Sequence, residues 1–109
     1  MTIDAATFDA LRETTGAEFA NELVDTFLQE APTMLADLRQ SLASGDAERF
    51  RRAAHSLKSN SNTFGALALG ALARDLELSG VAQASPEKVA IVESEFARAA
   101  AALSELRRA

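Results

Sequence analysis

The sequence predicts an all-α fold: an antiparallel, up-down four-helix bundle preceded by a short N-terminal helix. Three observations carry that reading. Alanine is abundant while Gly (5) and Pro (2) are few among 109 residues, a composition that favours helix over sheet. Between local breaks the apolar residues keep a helical period. The breaks are short, so consecutive helices become antiparallel neighbours.

The first segment, near Asp4 to Arg12, places Ile3, Phe8 and Leu11 on one side and reads as a short helix. Gly16 ends it. The second, about Ala17 to Ala43, carries Val24, Phe27, Ala31, Leu35, Leu38 and Leu42, the three-and-four spacing of a packed seam. Pro32 lies inside it and removes one backbone donor, which predicts a bend near the middle. Ser44-Gly45-Asp46 makes the next break. The third helix takes Asp46 as N-cap, has Glu48 in its first turn where the helix dipole favours an anion, and runs to about Ser61. A polar stretch ending in Gly65 follows, and Gly65 is assigned to the reversal, where only backbone freedom is needed. The fourth helix is expected from about Phe64 to Leu78 with Leu69, Leu72 and Leu76 on its seam; Ala66, Gly70 and Ala73 lie along one flank and permit close helix approach. The fifth opens on Ser85 as cap with Pro86 at its first position, and its seam is Val89, Val92, Phe96, Ala99, Leu103 and Leu106.

The length fits one domain over residues 1–109, enough for a modest core. Cysteine is absent and there is a single histidine, which removes disulfides and the usual zinc constellations; no metal site is expected. No apolar run approaches a membrane span and no signal-peptide pattern opens the chain, so the reading is no membrane partner and a cytoplasmic location. A net charge of -5 argues against nucleic acid, which needs a broad basic surface.

That one histidine is His55. Its neighbours three and four positions away, which share its helix face, are Arg51, Arg52, Lys58 and Ser59: three cations and a small hydroxyl in an acidic protein. Setting Phe50 at zero on a helical wheel puts Leu57, Ala54, Ala53 and Ser61 within about 60° of it, with His55 near 140°, Ser59 near 180° and Asn62 near 120°. The core stripe and the histidine therefore part company, and His55 faces solvent. The ordinary alternatives are a surface histidine without a task and a solvated basic face. Against them, the cations disfavour an imidazolium and so favour the neutral, nucleophilic ring, and the same cations suit an incoming phosphoryl group.

With His55-x-Leu57-Lys58, the small Ser59, Gly65 ten positions past the histidine, and Leu76-Glu77 on the next helix, the sequence resembles the histidine phosphotransfer (HPt) domains of phosphorelays. The motif spans about a fifth of the chain; the length and helical architecture extend the likeness to nearly all of it. The resemblance implies that His55 is the phosphoacceptor through Nε2, that Lys58 sits beside the phosphohistidine and helps neutralise it, and that Glu77 hydrogen-bonds the other ring nitrogen. A carboxylate in that place fixes the tautomer with the Nε2 lone pair outward. Glu77 could equally be a solvent-facing helix residue. Ser59 departs from the Gly that many members carry there for clearance of the docking partner; it is nearly as small, and the change bears on which partner fits. Arg51, Arg52, Ser59 and Asn62 are the remaining candidate binding residues.

The resemblance further implies a covalent carrier without its own ATP site and without a cofactor, the catalytic Mg²⁺ residing in the partner. The sequence itself offers no Gly-rich phosphate loop. Expected partners are response-regulator receiver domains, a hybrid histidine kinase, or both, docking on the third helix and the exposed sides of the second, where Phe19 and Leu28 are candidate apolar contacts unless both simply pack on the short first helix. The protein is expected to be a monomer. Two rivals stand beside this reading: an excised phosphoacceptor domain of a chemotaxis-type kinase, and a helical adaptor in which His55 is incidental.

Overall fold

The computed structural model describes residues 2–108; the expected domain boundaries at residues 1 and 109 lie outside them. Five helices follow one another, α1 (Ala5–Thr15), α2 (Ala17–Ser44), α3 (Ala47–Thr63), α4 (Leu67–Ser79) and α5 (Pro86–Arg108), with no strand among the described residues.

Their ends are set by local chemistry. Asp4 accepts a hydrogen bond from Thr7 N (3.1 Å) and caps α1. Asp46 accepts from Arg49 N (3.1 Å) and caps α3, while Ser85 Oγ accepts from Lys88 N (3.2 Å) ahead of Pro86. Each side chain satisfies one of the amides that the first turn leaves without a carbonyl. Helix α2 continues through Pro32 from Ala17 to Ser44.

Helix α2 packs on both α3 and α5, α4 packs on α3 and α5, and α1 lies across α2 and α3. The predicted seams are the buried ones: Val24, Phe27, Ala31, Leu35 and Leu38 from α2, Leu69 and Leu76 from α4, Val89, Val92, Ala99 and Leu103 from α5. Leu42, Leu72, Phe96 and Leu106 pack at its margin. Phe27 stands at the centre, stacked on Phe64 at 5.2 Å and met edge-on by Phe96 at 5.9 Å. Aromatic pairs of this geometry add about 0.5–1.5 kcal/mol each to the area they bury. Ion pairs clasp the rims, Arg39 to Glu93 and Arg107 to Asp25 between α5 and α2, Arg49 to Asp37 between α3 and α2. All are half-exposed, so their contribution is small.

The α3–α4 connection differs from expectation. Helix α3 runs two residues beyond Ser61, and α4 starts at Leu67 rather than Phe64. Phe64 is buried against Phe27, so its side chain anchors the reversal to the core instead of opening the next helix. Gly65 then takes φ +85°, a conformation costly to any residue with a Cβ. Its role is wider than a reversal. Gly65 O accepts from Asp4 N at 2.8 Å, and a Cβ built on Gly65 would stand 2.8 Å from Asp4 O and 3.2 Å from Thr7 Cβ. The segment carrying the buried Ile3 is thus laid across the turn that a side chain would fill.

Candidate functional site

Phe50, Ala53, Ala54, Leu57 and Ser61 turn the buried face of α3 to the core, and that choice rotates His55 outward. Its side chain is 54% exposed. One nitrogen is nonetheless anchored, for Nδ1 lies 2.8 Å from Glu77 Oε2. Glu77 is only 14% exposed, and its other oxygen, Oε1, lies 2.8 Å from Lys58 Nζ. The carboxylate therefore bridges the ring and the ammonium across the α3–α4 crossing. The Lys58 hydrogen bond holds the Glu77 carboxyl below the usual carboxylate range against the opposing pull of desolvation, and the His55 contact acts in the same direction as Lys58. An ionised Glu77 accepts, so Nδ1 is the nitrogen that carries a proton, and in the neutral ring this leaves the Nε2 lone pair toward solvent.

A second contact shares the same register. The Asn62 side chain lies directly over Gly70, where a Cβ would come within 2.1 Å of Asn62 Oδ1. Seven residues forward along α3, from His55 to Asn62, correspond to seven residues back along α4, from Glu77 to Gly70. Asn62 thus faces α4 rather than the open side of His55. Ser59 is exposed beside the ring, and its carbonyl accepts from Thr63 Oγ1 at 2.9 Å.

The cations divide unevenly. Arg51 bonds Glu48 at 2.7 Å, and Arg52 reaches the same oxygen only at 3.9 Å. Lys58 is committed to Glu77. The sequence reading overlooked Arg74, which lies one turn before Glu77 on α4, is exposed, and pairs with no described residue. The signal was available in its three-residue spacing from Glu77.

Between α2 and α3 run two shallow depressions that share Met34. The wider, about 400 Å³, is lined by Asp37, Arg49, Arg52, Ala53 and Ser56. The narrower includes Leu23, Phe27, Glu30, Asn60 and Phe64. Phe19, 50% exposed, falls at helical spacing on the flank of Thr26 and Glu30 and so continues this groove. Leu28 does not. It shares the flank of Asp25 and Arg39, whose partners lie on α5, and is half-buried there. Among the described residues no three His, Cys, Asp or Glu side chains gather to hold a metal ion, and no helix is long and apolar enough to cross a membrane.

A bundle of helices presenting a lone, outward imidazole whose inner nitrogen lies against a carboxylate has what a phosphoryl carrier requires, an oriented ring with an accessible second nitrogen. The comparisons agree. The family model for the Hpt domain matches residues 22–109, and the chain belongs to that family, whose members perform histidine phosphotransfer in phosphorelays. The structure is similar to the crystal structure of histidine-containing phosphotransfer protein B from Pseudomonas aeruginosa PAO1, with a TM-score of 0.89 and 29% identity over 98% of this chain and 95% of that one. No curated protein matched the sequence. Proteins of this family are phosphocarriers rather than kinases, and they interact with receiver domains and histidine kinases.

Proposed function

We propose that His55 is the phosphoacceptor and that the protein carries a phosphoryl group on Nε2 between receiver-domain aspartates. The single observation that carries this is the hydrogen bond from Nδ1 to Glu77 at 2.8 Å beneath an exposed ring, in a chain of the Hpt family. The neutral imidazole attacks phosphorus in line through Nε2. The P–O bond to the donor aspartate breaks, and its electron pair leaves on the carboxylate. The Nδ1 proton stays in place while the ring becomes cationic, and Glu77 faces that new charge at once. Lys58 acts through Glu77, keeping its carboxylate ionised and aimed. Arg51, Arg52 and Ser59 surround the approach, Asn62 lies to one side of it against α4, and Gly65 secures the turn that sets α4 beside α3.

The reading extends to the architecture and setting. The four long helices form an antiparallel up-down bundle with α1 as the short addition, and residues 1–109 constitute one domain. The His55–Glu77 and Asn62–Gly70 pairs support opposed directions for α3 and α4. The chain acts as a monomer in the cytoplasm, with no nucleic-acid or membrane partner and no ATP site of its own; phosphate enters from receiver domains or a hybrid histidine kinase, with Mg²⁺ in the receiver's acidic pocket. The α2–α3 groove running from Arg52 past Met34 to Phe19 is the docking surface.

The test is phosphate transfer. Incubation with phosphorylated receiver domains should give acid-labile, alkali-stable label on the protein and none on His55→Ala. Label that survives in His55→Ala, or none from any receiver or kinase, would overturn the assignment and leave a helical adaptor.

A further inference from the structure

We propose that Arg74 and Arg52 supply the two uncompensated positive charges that receive the phosphoryl group in this protein, gripping it from opposite sides of His55. The inference rests on His55 being the phosphoacceptor and adds which side chains bind the transferred group.

Charge and register carry it. Around the ring stand four cations, Arg51, Arg52, Lys58 and Arg74, and two carboxylates, Glu48 and Glu77. Glu48 is held by Arg51 at 2.7 Å, and Glu77 is shared by Lys58 and His55 at 2.8 Å each. Two positive charges are left over. Arg52 is 69% exposed with its nearest carboxylate at 3.9 Å, and Arg74 is exposed with no partner among the described residues. Asp75, the next residue on α4, lies on the other flank, where it lines a groove with Lys88 and Ile91 of α5, and so leaves Arg74 uncompensated. A phosphoryl group brings about two negative charges near neutral pH, the number the site has spare.

The positions suit a bracket. Arg52 is one turn before His55 on α3. The pairs His55–Glu77 and Asn62–Gly70 put Arg74 level with Lys58 and Ser59, one turn beyond His55 in the other direction. Both lie within an arginine side chain's reach of a group projecting from Nε2, and neither must release another partner at close range to get there. Lys58 is already matched to a carboxylate, Glu77 Oε1 at 2.8 Å, so its charge is not among the two left over. Guanidinium groups also match phosphate oxygens in pairs, which an ammonium does not.

The experiment uses phosphoramidate, a small anionic donor that needs no partner protein; its N–P bond breaks as the Nε2–P bond forms, and ammonia leaves. Arg52→Ala and Arg74→Ala should each slow phosphorylation of His55 by about two- to fivefold, as expected for loss of one exposed charge contact, and Arg74→Lys should recover only part of the rate, keeping the charge without the paired hydrogen bonds. Raising the salt concentration should shrink these differences. In the wild-type protein, the Nε–H resonances of both arginines should shift on phosphorylation, with far-UV circular dichroism unchanged in every variant. Equal rates in Arg74→Ala and wild type, with an Arg74 resonance that does not move, would overturn the proposal while label on His55 kept the phosphoacceptor reading. Failure of any label to form on His55 would overturn both.

Discussion

Replacing Gly65 by Ala tests whether the turn after α3 and the N-terminal segment are one structural unit. The structure gives two separate costs. An L-residue at φ +85° incurs about 1–2 kcal/mol of backbone strain. The new Cβ would sit 2.8 Å from Asp4 O, so the segment must lift and break the Asp4 N to Gly65 O hydrogen bond, a loss of about 1 kcal/mol. Partial exposure of Ile3, buried in the native chain, adds up to about 1 kcal/mol more. The total is about 2–4 kcal/mol. With a urea slope near 1.5 kcal/mol per molar, typical for small proteins, the unfolding midpoint should fall by roughly 1–3 M with the slope unchanged. Gly65→Asn separates the two costs, because Asn carries the same Cβ yet tolerates a left-handed backbone. It should recover about the strain and no more. A midpoint shift in Gly65→Ala below 0.3 M would refute the argument, as would an Asn variant as stable as wild type, since the clash with Asp4 would then be fictitious.

Three further outcomes follow from the same geometry. In Glu77→Ala the His55 ring should lose its single tautomer, seen as convergence of the two ring ¹⁵N shifts at high pH; two well-separated shifts in that variant would show that Glu77 does not set the proton. Glu77, Asp25, Glu48 and Glu93 all have carboxyls held below their ordinary range, chiefly by hydrogen bonds from Lys58, Arg107, Arg51 and Arg39 respectively. A carboxylate lowered in the folded state contributes its stability in full above its unfolded value, near 4.5 for Glu, and loses it as pH falls through the lower folded value. Urea midpoints measured against pH should therefore drop on the acid side of about 4.5, and Lys58→Met should move the Glu77 carboxyl titration upward by NMR; an unmoved titration would deny the Lys58 bond. Phe27→Ala, which removes the ring that meets both Phe64 and Phe96, should cost about 3–5 kcal/mol in urea unfolding, and a loss under 1.5 would mean the aromatic cluster is not the centre of the core.

What was legible in the sequence was whatever a single helix decides for itself. The buried stripe of α3, the outward placement of His55, the caps at Asp46 and Ser85 and most seam residues depend only on local period and cap chemistry. What was not legible depends on how one helix lies against another. That Lys58 pairs with Glu77 instead of standing free, that Asn62 lies over Gly70, and that Leu28 faces α5 while Phe19 continues the groove are consequences of register and rotation. The N-terminal clasp escaped notice for the same reason. Asp4 and Gly65 are sixty-one positions apart, and nothing in either neighbourhood announces the other.

Register is also what the proposed chemistry at His55 depends on. His55 needs an acceptor at Nδ1, and α4 offers only Glu77 on the flank facing α3. Were α4 displaced by one turn, Arg74 would stand opposite the ring. A guanidinium cannot accept Nδ1–H, and it would repel the cationic ring that phosphorylation creates. Two features oppose that slip. Phe64 and Gly65 fix where α4 begins, and Gly70 provides the only Cβ-free position along α4 into which Asn62 can settle. The glycine is expensive in an isolated helix, costing about 1 kcal/mol against alanine, and α4 keeps it where a side chain would strike Asn62. Because Asn62 is itself exposed and able to swing away, Gly70→Ala should leave stability within about 1 kcal/mol of wild type. Its effect belongs to the register: the ¹⁵N shifts of His55 should show a second, unanchored population. Unchanged His55 shifts in Gly70→Ala would mean that the turn at Gly65 holds the two helices in step without help from Asn62.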